Sequence, residues 1–157
     1  LSNLNYKVVA LTNKDEKFLT QLGAADIIKR DSFNYSKNPL SKQKWQGAID
    51  TVGGEILSTI LAETMYDGIV VSTGLAKSAT LNTTVYPFIL RNVTLSGIDC
   101  VYASYTKRVN AWKFLEKYLD KRILKNIKVS RSFNDLHDIS NQILKGQIRG
   151  RTLIKVI

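Results

Sequence analysis

At 157 residues the chain has room for one well-buried core and not for two full-sized domains. Its 44% hydrophobic and 23% charged residues are ordinary for a soluble globular protein. One cysteine, Cys100, and one histidine, His137, exclude an internal disulfide and any zinc site built from several Cys or His ligands. The net charge of +10 is carried almost wholly by residues 101–157, which hold 13 Lys/Arg against 4 Asp/Glu; such a tail suits an anionic ligand, a nucleic-acid surface or a solvated helix.

Residues 6–12 predict a short strand, and Phe18, Leu19 and Leu22 the apolar face of a helix that Gly23 terminates. A second strand is expected over 24–28, followed by a polar stretch over 29–46 with loop composition. Residues 48–52 predict a third strand ended by Gly53-Gly54, and 55–65 a helix with Ile56, Leu57, Ile60 and Leu61 inward. After an Asp67-Gly68 turn, the β-branched run 69–73 suits a strand covered on both faces. The run 93–99 alternates and is expected at a sheet edge, where it can pair with a second subunit. Helices are predicted over 105–121, with Ala111, Trp112, Leu115, Tyr118 and Leu119 as a core stripe, and over 132–145, with Leu136, Ile139, Ile143 and Leu144 inward. Residues 152–156 close the chain as a strand.

Strands at about twenty-residue intervals with helices between them indicate βαβ crossovers and a parallel sheet, hence an α/β fold. Nucleotides bind at the carboxyl ends of such strands, so the candidate loops are 12–14, 50–54 and 73–76. Neither a G-x-G-x-x-G nor a G-x-x-x-x-G-K motif occurs, and a nucleophile elbow and paired metal ligands are also missing. Gly53-Gly54 reads more readily as a plain turn than as a place of close ligand approach. The amino terminus lacks the pattern of a secretory signal, so a cytoplasmic location is expected, and the Asn-x-Ser/Thr matches at Asn34, Asn82 and Asn92 read as structural.

Five segments carry a more specific signal: Tyr6-Lys7-Val8-Val9-Ala10, Leu22-Gly23-Ala24, the stretch from Trp45 through Asp50 to Gly54, the stretch from Pro87-Phe88-Ile89-Leu90-Arg91 to Gly97-Ile98-Asp99, and Gly150-Arg151-Thr152-Leu153. On these, over nearly its whole length, the chain resembles the carboxy-terminal half of the acrylyl-CoA reductase family, a quinone-oxidoreductase-like branch of the zinc-independent medium-chain dehydrogenases/reductases. The resemblance implies an α/β Rossmann-type parallel sheet with flanking helices, truncated so that the first strand and its Gly-rich loop are absent. It implies a partial cofactor-binding domain over 1–121 and a segment, 122–157, returning towards a catalytic domain. The full-length parent is then an enzyme in which NADPH reduces an activated C=C bond of acrylyl-CoA or a related enoyl or quinone substrate, and this chain alone is inactive.

Carried over position by position, the resemblance implies that Thr12, Asn13 and Lys14 grip the adenosine 2′-phosphate, that Arg30 makes a second cofactor contact, and that Leu75, Ile89, Cys100 and Gly146 line the cofactor. It places no catalytic residue and no metal ligand here. Read without the family, Leu75 and Ile89 serve equally as core and Gly146 as a helix terminator. Asn13 stands where the family turn has glycine, and Lys14 offers a point charge where arginine would offer a fork, which implies weaker 2′-phosphate recognition. No carboxylate stands directly after Leu11, which favours NADPH over NADH.

Relative to the family, the chain begins inside the helix after the first strand, leaving 8–11 and 48–52 without their shared neighbour. Each buried group so orphaned costs about 1–3 kcal/mol, against a net domain stability of about 5–15 kcal/mol. Rearrangement, strand exchange, a complementing fragment or further residues upstream are therefore expected. The partners expected are a small-molecule substrate and a second copy paired through the edge strand from Val93 to Ile98, with no nucleic acid and no membrane. A quinone or enal reductase, a basic nucleic-acid-binding module and a purely structural dimerisation unit stay open as alternatives.

Overall fold

The short β-rich runs form strands that pair in parallel, each joined to its neighbour through a helix. In the computed structural model, which describes residues 1–156, these elements divide into two compact units: Asn34–Arg108, and Leu1–Phe33 together with the residues from Val109 onward.

The unit Asn34–Arg108 contains β3 (Trp45–Asp50), α2 (Gly54–Glu63), β4 (Thr64–Ser72), α3 (Tyr86–Arg91) and β5 (Thr94–Gly97), with the strands in the order β3-β4-β5. Leu57, Leu61, Val70 and Val93 form its core, flanked by Ala48, Ile60, Phe88 and Leu95. Thus the stripe expected on α2 does face the sheet. The third strand starts three residues earlier than expected, and β4 runs through the expected turn. The register slips between Trp45↔Thr64 and Gly47↔Ile69, and Asp67 takes a left-handed φ of 59° at that irregularity. β5 lies at the sheet edge, as its alternation suggested.

Two charged side chains close the far end of α2. Glu63, 4% exposed, accepts from the Lys44 amino group at 2.5 Å and from the Trp45 indole N–H at 2.9 Å. Arg91 donates to the carbonyl oxygens of Ala62 at 2.9 Å, Thr64 at 3.2 Å and Ser41 at 2.6 Å. α3 had not been expected as a helix; it begins around Pro87, whose fixed φ suits a first turn, and stops at Asn92 with φ 50°.

The other unit holds two parallel pairs. β1 (Val9–Leu11) and β2 (Asp26–Ile28) flank α1 (Glu16–Gln21) in sequence; β6 (Lys128–Ser132) and β7 (Arg151–Lys155) flank α6 (Leu136–Leu144). The Asp15 carboxylate accepts from the Phe18 N–H at 3.2 Å and caps α1. That bond, with help from the Arg149 guanidinium 2.9 Å away, holds its pKa below the ordinary carboxylate value. β1 pairs only with β2 and β3 only with β4, so among the described residues no strand adjoins both β1 and β3.

None of the residues of α4 (Tyr105–Tyr118) is buried, and Trp112 is 71% exposed, so the stripe expected as core is not core in this chain. In α6 only Ile139 is buried, while Leu136, Ile143 and Leu144 are exposed. An amphipathic pattern records the face a helix is able to bury, and not whether a partner lies against it. α5 (Lys121–Ile127) and β6 went unexpected; every residue of β6 is exposed, and Lys-Val-Ser-Arg-Ser has no apolar face to signal a strand.

Candidate functional site

In the unit Asn34–Arg108 a hollow of about 580 Å³ opens at the carboxyl ends of β3, β4 and β5, within the usual range for a ligand pocket. Its frame starts from Asp50, which is 2% exposed. The Asp50 carboxylate accepts from the N–H groups of Val52 at 3.2 Å and Gly53 at 3.0 Å, curling the loop back over the end of β3. This loop is sewn to the one after β4: Ala76 N–H donates to Thr51 O at 3.2 Å and Lys77 N–H to Val52 O at 2.9 Å. Beside the seam, the Lys77 amino group lies 3.3 Å from the Tyr35 hydroxyl and 3.2 Å from Glu55. Those two partners, Tyr35 foremost, raise its pKa.

Two glycines play different parts. Gly53 has φ 72°, and a Cβ there would run into the carbonyl oxygen of Ser78, so Gly53 is needed by the loop itself. Gly97, by contrast, lines the hollow with no atom within 4 Å of where its Cβ would stand. The space beside Gly97 is therefore open to a ligand, whereas at Gly53, which also lines the hollow, the missing side chain serves the packing of the loop itself. Gly54, the first residue of α2, also lines the hollow, so the positive end of that helix faces it.

Of the family positions in this unit, only Leu75 lies in the wall, and at 65% exposure it is not core. Ile89, on α3, is 68% exposed; Cys100 is exposed and follows Asp99, which does line the hollow. Ile89 and Cys100 themselves lie outside the wall.

The remaining five positions gather in the other unit. Thr12 N–H donates to Ile28 O at 2.9 Å, and its hydroxyl accepts from the Lys14 N–H at 3.2 Å. The Asn13 side-chain oxygen accepts from the Arg30 backbone N–H at 2.9 Å, and its amide nitrogen donates to the Asp31 carboxylate at 2.9 Å. Although Asn13 stands at the family's glycine position, its φ is not left-handed. Its fit comes from these side-chain bonds. The Lys14 amino group donates to Gly146 O at 3.0 Å and Ile148 O at 2.9 Å. The exposed Arg30 guanidinium has no hydrogen bond or ion pair among the described residues.

Asp31, Gly97 and Asp99 are site residues whose roles the sequence had not marked. Gly97 and Asp99 stood in a quoted motif without a role, and Asp31 lay in a stretch of plain loop composition.

Residues 1–117 match the family described as zinc-binding dehydrogenase. The chain belongs to that family. It is 39% identical, over 99% of its length, to the acrylyl-CoA reductase AcuI of Ruegeria pomeroyi. It superimposes with a TM-score of 0.91 and 40% identity on the yhdH oxidoreductase from Salmonella enterica solved in complex with NADP, over 99% of its length. The TM-score is 0.90, at 37% identity over 98% of the chain, for the Bacillus subtilis protein yhfP solved with NAD bound. The chain spans about half, 48%, of each of these relatives. The Rossmann-like α/β fold and the resemblance to the carboxy-terminal half of medium-chain dehydrogenases/reductases are thereby borne out.

Zinc, in the family's name, does not fit these residues. Cys100 and His137 are the only thiol and imidazole donors, and among the described residues no three of His, Cys, Asp or Glu stand together. Among the same residues no helix is long and apolar enough to cross a membrane.

Proposed function

We propose that this chain is the cofactor-binding part of an NADPH-dependent oxidoreductase that reduces an activated C=C bond, such as that of acrylyl-CoA or a related enoyl or quinone compound. The observation that carries the reading is the hollow at the strand ends, open at Gly97 and facing the positive end of α2. The relative solved with NADP, at 40% identity, supports it.

NADPH supplies the hydride; the protein fixes where it is held. Gly97 and Leu75 give its flat rings and ribose an apolar, close-fitting surface, and the amino end of α2 takes the diphosphate charge. Ile89 and Cys100, outside the wall of the hollow, and Gly146, in the other unit, are further cofactor contacts on the strength of the family resemblance alone. The 2′-phosphate falls to the turn Thr12-Asn13-Lys14 and to Arg30. Lys14 spends two of its three protons on the carbonyls of Gly146 and Ile148, which leaves one for a phosphate oxygen. The Arg30 guanidinium has its whole fork available.

Residues 1–121 hold the cofactor, residues 122–157 return towards the catalytic part, and the substrate-positioning groups lie outside this chain. Turnover by the 157 residues alone is therefore not expected, since hydride transfer needs a held near-attack geometry. Dissociation constants of the full-length protein for NADPH and NADH, by fluorescence titration, test the reading. NADPH should bind at least about tenfold more tightly, the weight of one charge-assisted contact; equal constants overturn it. Enoyl-CoA thioesters and quinones then compete as substrates in the same preparation.

A further inference from the structure

The geometry points to Asn13 as a positioning residue that sets cofactor selectivity, acting on Arg30 and Asp31 at once. The inference rests on the NADPH reading above and deepens it. The Asn13 amide joins the turn after β1 to the turn after β2. Its oxygen accepts from the Arg30 N–H, and its nitrogen donates to the Asp31 carboxylate, both at 2.9 Å. The two bonds do different things for a 2′-phosphate.

The bond to Arg30 fixes the backbone from which the guanidinium projects. That side chain is exposed and has no partner among the described residues, so its aim depends on where its backbone is pinned. A short 3-10 turn over Arg30–Ser32 continues the constraint, with Ser32 N–H donating to Lys29 O at 3.1 Å and Phe33 N–H to Arg30 O at 3.2 Å. On the other side of Arg30, Lys29 is tied to Glu16 on α1 by an ion pair of 2.6 Å. Arg30 is thus held at its own N–H and through both neighbours.

The bond to Asp31 acts by restraint. A carboxylate near the adenosine ribose accepts hydroxyl protons and repels a 2′-phosphate, which is how NADH is preferred elsewhere in this fold class. Asn13 occupies one Asp31 oxygen and anchors the carboxylate beside the turn. Removing the amide releases Asp31 and loosens Arg30, and both changes favour NADH over NADPH. Lys14 acts separately, through the one ammonium proton left over from its bonds to two carbonyl oxygens, and holds neither Arg30 nor Asp31.

The test measures dissociation constants for NADPH and NADH in the full-length protein and its variants. Asn13→Ala should lower the preference for NADPH about tenfold, with NADH binding within about twofold of wild type, which also reports an intact site. Asp31→Asn added to Asn13→Ala should return the preference to within about threefold of wild type, since the released carboxylate is gone. Lys14→Ala should also lower the preference for NADPH, but Asp31→Asn added to it should not restore that preference, because Lys14 does not hold Asp31.

A preference that survives Asn13→Ala, or an equal loss for both cofactors, overturns the role of Asn13 and leaves the NADPH reading in place. Failure of Asp31→Asn to restore the preference overturns the restraint on the carboxylate. A wild-type protein that binds the two cofactors equally overturns the NADPH reading itself, and this inference with it.

Discussion

Arg91 is half-buried, and its three carbonyl partners come from Ser41, Ala62 and Thr64. Two of these belong to the end of α2 and the start of β4, where helix carbonyls lose their internal donors. Arg91→Ala removes a charged donor from all three. Urea unfolding of the full-length protein should show a loss of about 2–4 kcal/mol, since each such group costs about 1–3 kcal/mol when left unpaired. Arg91→Lys should recover only part of it, because an ammonium does not span three oxygens as a planar fork does. The motif containing Arg91 was conspicuous in the sequence, yet its role was not legible there: its partners lie 27 to 50 residues away. Lys14 is a similar case. The sequence marks it as a cation after a strand, but its bonds to Gly146 and Ile148 reach 132 and 134 residues along the chain.

At the scale of elements, the site follows from strand ends and one helix start. β3, β4 and β5 end at the same level because they pair in register over Ile69↔Thr94 to Ser72↔Gly97 and Gly47↔Ile69 to Asp50↔Ser72. Their following loops must therefore meet. The candidate loops 50–54 and 73–76 were legible on this ground, and they do frame the hollow; what the pattern did not show is which glycine serves the ligand. Gly97→Val places carbon in open space, so it should leave stability within about 0.5 kcal/mol while weakening NADPH and NADH alike by about tenfold or more, read by thermal unfolding and fluorescence titration. A selective effect on one cofactor would place the adenosine end, and not the shared part of the molecule, at Gly97.

At the scale of the whole molecule, the open edge of β5 is the feature that bears on assembly, and a homodimer joined there is the arrangement we propose. Ile98 N–H donates to Ser72 O on β4 at 2.9 Å, so by strand alternation the Gly97 N–H points to the open edge. One position then separates two roles. Gly97→Pro removes the edge donor and should give a monomer in sedimentation of the full-length protein, whereas Gly97→Val keeps the donor and should stay dimeric. A monomeric wild type sinks the arrangement. The sequence by itself determined the alternation of strands and helices, the parallel fold class and the loops where a nucleotide belongs, because apolar periodicity and turn residues are local consequences of backbone geometry. Only the tertiary structure decided that the α4 stripe is exposed, that Gly53 serves its loop while Gly97 faces open space, and that Asn13 ties Arg30 to Asp31. Burial and hydrogen-bond partnership depend on which distant residues the fold brings within reach, and no local pattern carries that information.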